Sequence, residues 1–205
     1  ETILRASGKN KQANMVRNIL PAGVECIFVR QAEQLGLGHA VLCAERAVGN
    51  DPFVVLLADD FLTDYDTGVT TDLVKAFVKT GKMQLSVMEV DGPDISKYGV
   101  VVPTSKGAGI VGLIEKPDYN NAPSKLASIG RYFLTPNIFE TLRSLSPGSN
   151  GEIQLADAIN IHAQQGYVET VLLKGQRFDC GSVDGFISAS AFEYAKRQGE
   201  KSNET

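Results

Sequence analysis

Residues 53–60, Phe53-Val54-Val55-Leu56-Leu57-Ala58-Asp59-Asp60, set six consecutive apolar residues ahead of two acids. A continuous apolar run, rather than an alternating one, predicts a central parallel strand covered on both faces. Pro52 precedes the run and the paired acids end it. In open α/β sheets, ligands sit in the crevice beyond the carboxyl ends of such strands. Position alone therefore makes Asp59 a candidate site residue, with two readings open. A carboxylate there suits Mg2+ through oxygen, and Asp is also common as the cap of a turn after a strand.

Working outward, Val24 to Val29 is a short apolar run and reads as a buried strand. His39 to Val48 reads as a helix with Ala40, Cys43, Ala44 and Ala47 on one face. A helix is expected from about Thr70 to Lys79 and a strand from Gln84 to Val90. Strand, helix, strand, helix, strand predicts right-handed crossovers onto a parallel sheet with helices on both sides. After residue 98 the character changes. Tyr98 to Pro103, Gly109 to Glu115 and Ala127 to Leu134 are short strands joined by loops rich in Gly, Pro and Asn, which predicts a mixed or antiparallel extension of the sheet. Pro136 to Leu145 and Glu152 to Gln165 read as helices, Tyr167 to Leu173 as a strand, and Val183 to Arg197 as a closing helix. The fold class is α/β, with a mixed, mainly parallel central sheet flanked by helices. The expected organisation is a single domain over 1–205, with a variable lead-in over 1–23, a core over 24–181 and a closing helix and frayed polar tail over 182–205.

A chain of 205 residues is long enough for one sizeable domain. Its 43% hydrophobic and 21% charged content is ordinary for a globular protein. A net charge of −4 argues against nucleic acid as partner, because such binders carry a basic excess or stripe. No stretch approaches the roughly 18 apolar residues of a membrane helix, so no membrane partner is expected. Cys26, Cys43 and Cys180 are an odd set without regular spacing, which suits free thiols in a cytoplasmic compartment.

Four further groups are candidates for chemistry. Glu115-Lys116-Pro117 closes a strand. A carboxylate accepts two hydrogen bonds, as a pair of sugar hydroxyls requires, and an ammonium suits a phosphate. Neighbours on a strand point to opposite faces, so Pro117 would have to bend the chain for both to reach one pocket. The competing reading is a solvated charge pair before a turn. Gln31 offers donor and acceptor to a pyrimidine edge, and Gly36 and Gly38 allow close backbone approach. Alternatively they form a plain strand-to-helix loop. Gly36-x-Gly38 lacks the third glycine of a dinucleotide fingerprint, and no Walker loop is present. Asp179-Cys180-Gly181 offers a second acid for a metal, or a simple turn before the last helix. His39 reads as loop-supporting and His162 as a surface residue.

These features fall in a recognisable order. Arg30-Gln31 with Gly36-Leu37-Gly38-His39-Ala40, then Leu57-Ala58-Asp59-Asp60, Tyr98-Gly99-Val100-Val101, Glu115-Lys116-Pro117, Gly130-Arg131-Tyr132, the run from Gly151 to Ile159, and Asp179-Cys180-Gly181 together resemble the bacterial UTP–glucose-1-phosphate uridylyltransferases, over about Gln12 to Arg197. The resemblance implies a Rossmann-like nucleotidyltransferase fold, with UTP, glucose-1-phosphate and UDP-glucose as ligands, Mg2+ as cofactor and a homo-oligomeric assembly. It implies that Gln31 and Gly36 meet the uracil and that Asp59 and Asp179 hold Mg2+. It further implies that Gly99 offers backbone to the sugar, Glu115 holds sugar hydroxyls, Lys116 holds the phosphate and Tyr132 lines the sugar pocket. Lys116 and Asp59 are thereby the catalytic pair. The family's first strand and glycine-rich triphosphate loop have no counterpart upstream of Gln31. The resemblance thus implies a truncated chain, weak or inactive alone. A thymidylyltransferase and a non-catalytic sugar-nucleotide module are the alternatives.

Overall fold

The computed structural model describes residues 1–63, 67–148 and 150–203. It divides into two compact units, Glu1–Arg30 and Gln31–Thr205. In the first, α1 (Thr2–Ala6) and α2 (Asn10–Arg17) are joined by a turn at Gly8 and held by Arg5, which donates to Asn14 Oδ1 at 2.9 Å. The strand expected over Val24 to Val29 does not form. That run is exposed and has no partner strand among the described residues, so its backbone gains nothing from extending into a ladder. The unit boundary accordingly falls after Arg30, not after residue 23.

The second unit opens with α3 (Gly36–Cys43) and the short α4 (Glu45–Val48), where one helix was expected from His39. Then come β1 (Phe53–Leu56), β2 (Asp60–Leu62), α5 (Val69–Thr80) and β3 (Met83–Glu89). They are followed by β4 (Gly99–Pro103), β5 (Ile110–Glu115), β6 (Leu126–Leu134), α6 (Asn137–Ser144), α7 (Leu155–Gln164), β7 (Val168–Leu172), β8 (Arg177–Asp179) and α8 (Val183–Asn203). The tail expected to fray from Gln198 continues α8 to Asn203, and residues 204–205 lie outside the described residues.

The main sheet runs β5-β4-β6-β3-β7, with β1 beside the far half of β6, and β2 and β8 form a second, two-stranded sheet. The mixed sheet flanked by helices matches the sequence reading, but its parallel character does not. Among the described residues only β3–β7 pairs in parallel, and β1 lies antiparallel to β6 with Phe53 opposite Leu134. Nor is β1 covered on both faces: it pairs only with β6 among the described residues, Phe53 to Val55 are half-buried and Leu56 is 54% exposed. An apolar run by itself fixes neither two-sided burial nor strand direction.

Alternation along β6 divides the core. Tyr132 and Leu134 join Ile138, Leu142, Leu155 and Ile159 under α3, α6 and α7. Phe133 turns to the other face and stacks on Phe77 of α5 at 4.3 Å. Each fully buried aliphatic side chain contributes about 1.5–3 kcal/mol relative to exposure. α5 buries Val69 and Leu73 at i, i+4 and ends at Gly81, whose left-handed φ of 69° lets its N–H cap the Phe77 carbonyl.

Candidate active site

The two acids that close the 53–60 segment part company. Asp60 opens β2 and pairs across to Asp179 at the end of β8. Its side chain is 5% exposed, takes the Gly130 N–H at 2.6 Å, and forms an ion pair with Arg177. A Cβ at Gly130 would lie 2.7 Å from Asp60 Oδ2 and 2.7 Å from Leu57 Cβ, so only glycine admits this carboxylate. Burial pulls the Arg177 guanidinium down, but the hydrogen bond and charge of Asp60 outweigh it and hold Arg177 above its ordinary value.

Asp59, one residue earlier, is exposed and lines a cleft of about 220 Å³. Its carbonyl accepts the Cys180 N–H at 2.7 Å, bringing the Asp179-Cys180-Gly181 turn alongside. Gly181 donates to Asp179 Oδ1 at 3.1 Å. A Cβ at Gly181 would stand 3.1 Å from Asp179 Oδ1 and 3.5 Å from Asp59 Oδ2, so both carboxylates border one small space that glycine leaves open. Two carboxylates, with no cluster of three or more His, Cys, Asp or Glu among the described residues, are a donor set that fits Mg2+. That ion keeps several waters and binds through one or two carboxylates plus substrate phosphates.

Gly99 and Glu115 also line the cleft and pair with each other across β4 and β5. A Cβ at Gly99 would lie 3.1 Å from Glu115 Oε2, so glycine makes room for that carboxylate. Tyr132 and Gln154 also line the cleft, and burial pushes the Tyr132 phenol up to about 12, leaving it a neutral hydroxyl at physiological pH. The bend expected at Pro117 is made by Lys116 itself. It is the one non-glycine residue with positive φ, 46°, among the described residues. A left-handed conformation immediately before proline is disfavoured twice over. Its N–H is held by the Tyr98 carbonyl at 3.0 Å, while its ammonium, 65% exposed, stands 3.9 Å from Glu115 Oε1. Strain of this kind clusters at functional sites.

Of the residues named from sequence, the fold gathers Asp59, Gly99, Glu115 and Tyr132 around one cleft and sets Asp179 beside Asp59. Lys116 is tied to the rim through Tyr98. Gln31 and Gly36 stand apart at the start of α3, where Leu37 rather than either of them lines the cleft. The Gln31 amide donates to the Gly36 carbonyl at 3.1 Å and meets His39 Nδ1 at 2.9 Å, so His39 does support the loop. Gly36 and Gly38 answer a packing demand: a Cβ on Gly38 would lie 2.7 Å from the Ile153 carbonyl, and one on Gly36 2.8 Å from Glu152 Cβ. His162 is buried at 7% exposure and bonded to Thr141 at 2.9 Å, not on the surface, because its face of α7 packs inward toward α6. Sequence reasoning assigned no role to Arg177 or Tyr98. The signal for Arg177 was its i, i+2 spacing from Asp179, which places both on one side of a strand.

The nucleotidyl transferase family model matches residues 3–196. A UTP–glucose-1-phosphate uridylyltransferase of Pseudomonas aeruginosa is 40% identical over 200 residues, spanning 95% of this chain and 71% of that one. A UDP-glucose pyrophosphorylase crystallised with UDP-glucose superposes with a TM-score of 0.81 at 39% identity, covering 92% of this chain and 73% of the other. The UTP-bound enzyme of Acinetobacter baumannii superposes with a TM-score of 0.82 at 35% identity, covering 94% and 68%. By sequence and by fold, the chain belongs to the nucleotidyl transferase family, among its UTP–glucose-1-phosphate uridylyltransferases.

Proposed function

We propose that this chain carries the sugar-phosphate and metal half of a site that joins UTP to glucose-1-phosphate, giving UDP-glucose and pyrophosphate. A glucose-1-phosphate oxygen attacks the α-phosphorus of UTP. A new P–O bond forms as the bond from the α-phosphorus to the bridging oxygen breaks, and its electron pair leaves with pyrophosphate. Such transfer depends on alignment and charge neutralisation more than on covalent help. The observation that carries the reading is that Asp59, Gly99 and Glu115 line one cleft, with Asp179 bordering the same small space as Asp59.

Glu115 accepts two sugar hydroxyls, with Gly99 contributing backbone and Tyr132 a neutral hydroxyl on the wall. Lys116 pairs with the phosphate of glucose-1-phosphate and fixes the attacking oxygen. Gln31 and Gly36 face the uracil from the α3 turn. Asp59 and Asp179 hold Mg2+, which when bound neutralises charge developing on the reacting phosphates. We further assign the protein to the cytoplasm as a homo-oligomer. Its three cysteines are unpaired, and no helix among the described residues is long and apolar enough to cross a membrane.

The test pairs calorimetric titration of UDP-glucose with measurement of pyrophosphate released from UTP and glucose-1-phosphate, with dTTP in parallel. Binding of UDP-glucose and preference for UTP over dTTP are expected. A chain that neither binds UDP-glucose nor releases pyrophosphate overturns the reading, and equal use of dTTP overturns its nucleotide specificity.

A further inference from the structure

Arg177 lines the cleft and reaches two groups of its residues at once. One terminal nitrogen, Nη2, pairs with Asp60 and lies 3.9 Å from Asp179 Oδ2. The other, Nη1, donates to the Tyr98 hydroxyl at 3.2 Å, and the guanidinium carbon stands 5.2 Å above the Tyr98 ring. Each partner is one covalent or hydrogen-bonding step from a residue of the site. Asp60 follows Asp59 in the chain. Tyr98 precedes Gly99, and its carbonyl holds the strained Lys116 N–H. Asp60 in turn is anchored to β6 through Gly130.

Stability alone does not account for such an arrangement. A buried ion pair is often replaceable by apolar side chains at no loss. A planar guanidinium instead supplies several donors in fixed directions, together with a face that stacks on an aromatic ring. We propose that Arg177 is the positioning residue of this site. In this role, from the wall of the cleft, it holds the Asp59–Asp179 carboxylates and the Tyr98–Lys116 segment in one geometry, acting through these partners. The proposal rests on the uridylyltransferase reading for what the Tyr98–Lys116 end binds. Its carboxylate end is tested independently of that reading.

Two variants of the full chain decide it. Arg177→Lys keeps the charge but not the fork or the stacking plane. Tyr98→Phe removes one hydroxyl. Mn2+ titration followed by electron paramagnetic resonance reads the carboxylate end with no substrate present. UDP-glucose calorimetry reads the other end, and thermal melting reports the fold. Arg177→Lys is expected to melt cooperatively and to weaken both Mn2+ and UDP-glucose by about tenfold or more, the scale of outer partners of metal ligands. Tyr98→Phe is expected to weaken UDP-glucose by about fivefold, one hydrogen bond, while Mn2+ affinity stays within about twofold. A folded Arg177→Lys with both affinities within about twofold of wild type overturns the proposal, as does a wild-type chain that takes no Mn2+. If Arg177→Lys does not fold, Tyr98→Phe still decides, since unchanged UDP-glucose affinity or an equal loss of Mn2+ overturns it. A wild type that binds Mn2+ but not UDP-glucose sinks the uridylyltransferase reading, while the effect of Arg177→Lys on Mn2+ still judges the positioning role.

Discussion

Asp59 and Asp60 are the same residue type at adjacent positions, yet they belong to different regions of the molecule. Asp59 faces the cleft beside Asp179, with its carboxylate open to solvent. Asp60 also borders that cleft, but its carboxylate is almost wholly buried and engaged by the Gly130 N–H and Arg177. Asp59 sits in the turn ahead of β2 and Asp60 is the first residue of that strand, and the two carboxylates then obey different rules. On the rim, a carboxylate left without a cation is hydrated at little cost. At Asp60, where protein partners have replaced nearly all the water, an uncompensated charge is costly.

The sharpest way to break this comparison is Asp60→Ala. It leaves Arg177 buried without its main counter-ion and the Gly130 N–H without an acceptor. A loss of about 3–5 kcal/mol is expected, read from the denaturant midpoint. A loss below about 1 kcal/mol would mean that Arg177 relaxes into the cleft and its solvent, and that the pair behaves as an exposed one. Asp59→Asn should do the reverse. Stability is expected to stay within about 0.5 kcal/mol, as for an exposed substitution. Metal-dependent turnover should fall by about a hundredfold or more, near 2.7 kcal/mol of transition-state stabilisation. Near-normal turnover would remove Asp59 from metal binding and reduce the pair to a turn cap plus an internal ion pair.

Much of this was legible in the sequence, and what escaped did so for identifiable reasons. Helix α5 and strands β3 to β6 carry periodicity and turn residues over enough length to be read locally, and they fall close to their expected bounds. Strands β2 and β8 have three residues each, too short for any period to register, yet they bring Asp179 to Asp59. The Asp60–Arg177 pair joins residues far apart in the chain, and no local pattern announces a partner at that distance. Val24 to Val29 has strand composition but no neighbour to pair with among the described residues. The apolar run of β1 fixes neither its direction nor its burial on two faces, because both depend on which neighbours pack against it.

Lys116 offers the smallest and most discriminating effect, since it carries backbone strain at the rim where Asp59 carries none of Asp60's burial. A non-glycine residue in the left-handed region costs about 1–2 kcal/mol. Glycine relieves that cost but surrenders about 0.5–1 kcal/mol through the freedom of its unfolded chain. Lys116→Gly is therefore expected to raise stability by about 0.5–1 kcal/mol, whereas Lys116→Ala, which keeps the strain, should be close to neutral. Both variants lose the ammonium, so both should raise the KM for glucose-1-phosphate well above any change in the KM for UTP. Equal shifts in the two KM values would place the ammonium away from the sugar phosphate. A Lys116→Gly chain no more stable than Lys116→Ala would show that the φ of 46° is not strained in its setting. The twist before Pro117 would then be ordinary loop geometry, not a conformation held against its own preference to aim a side chain.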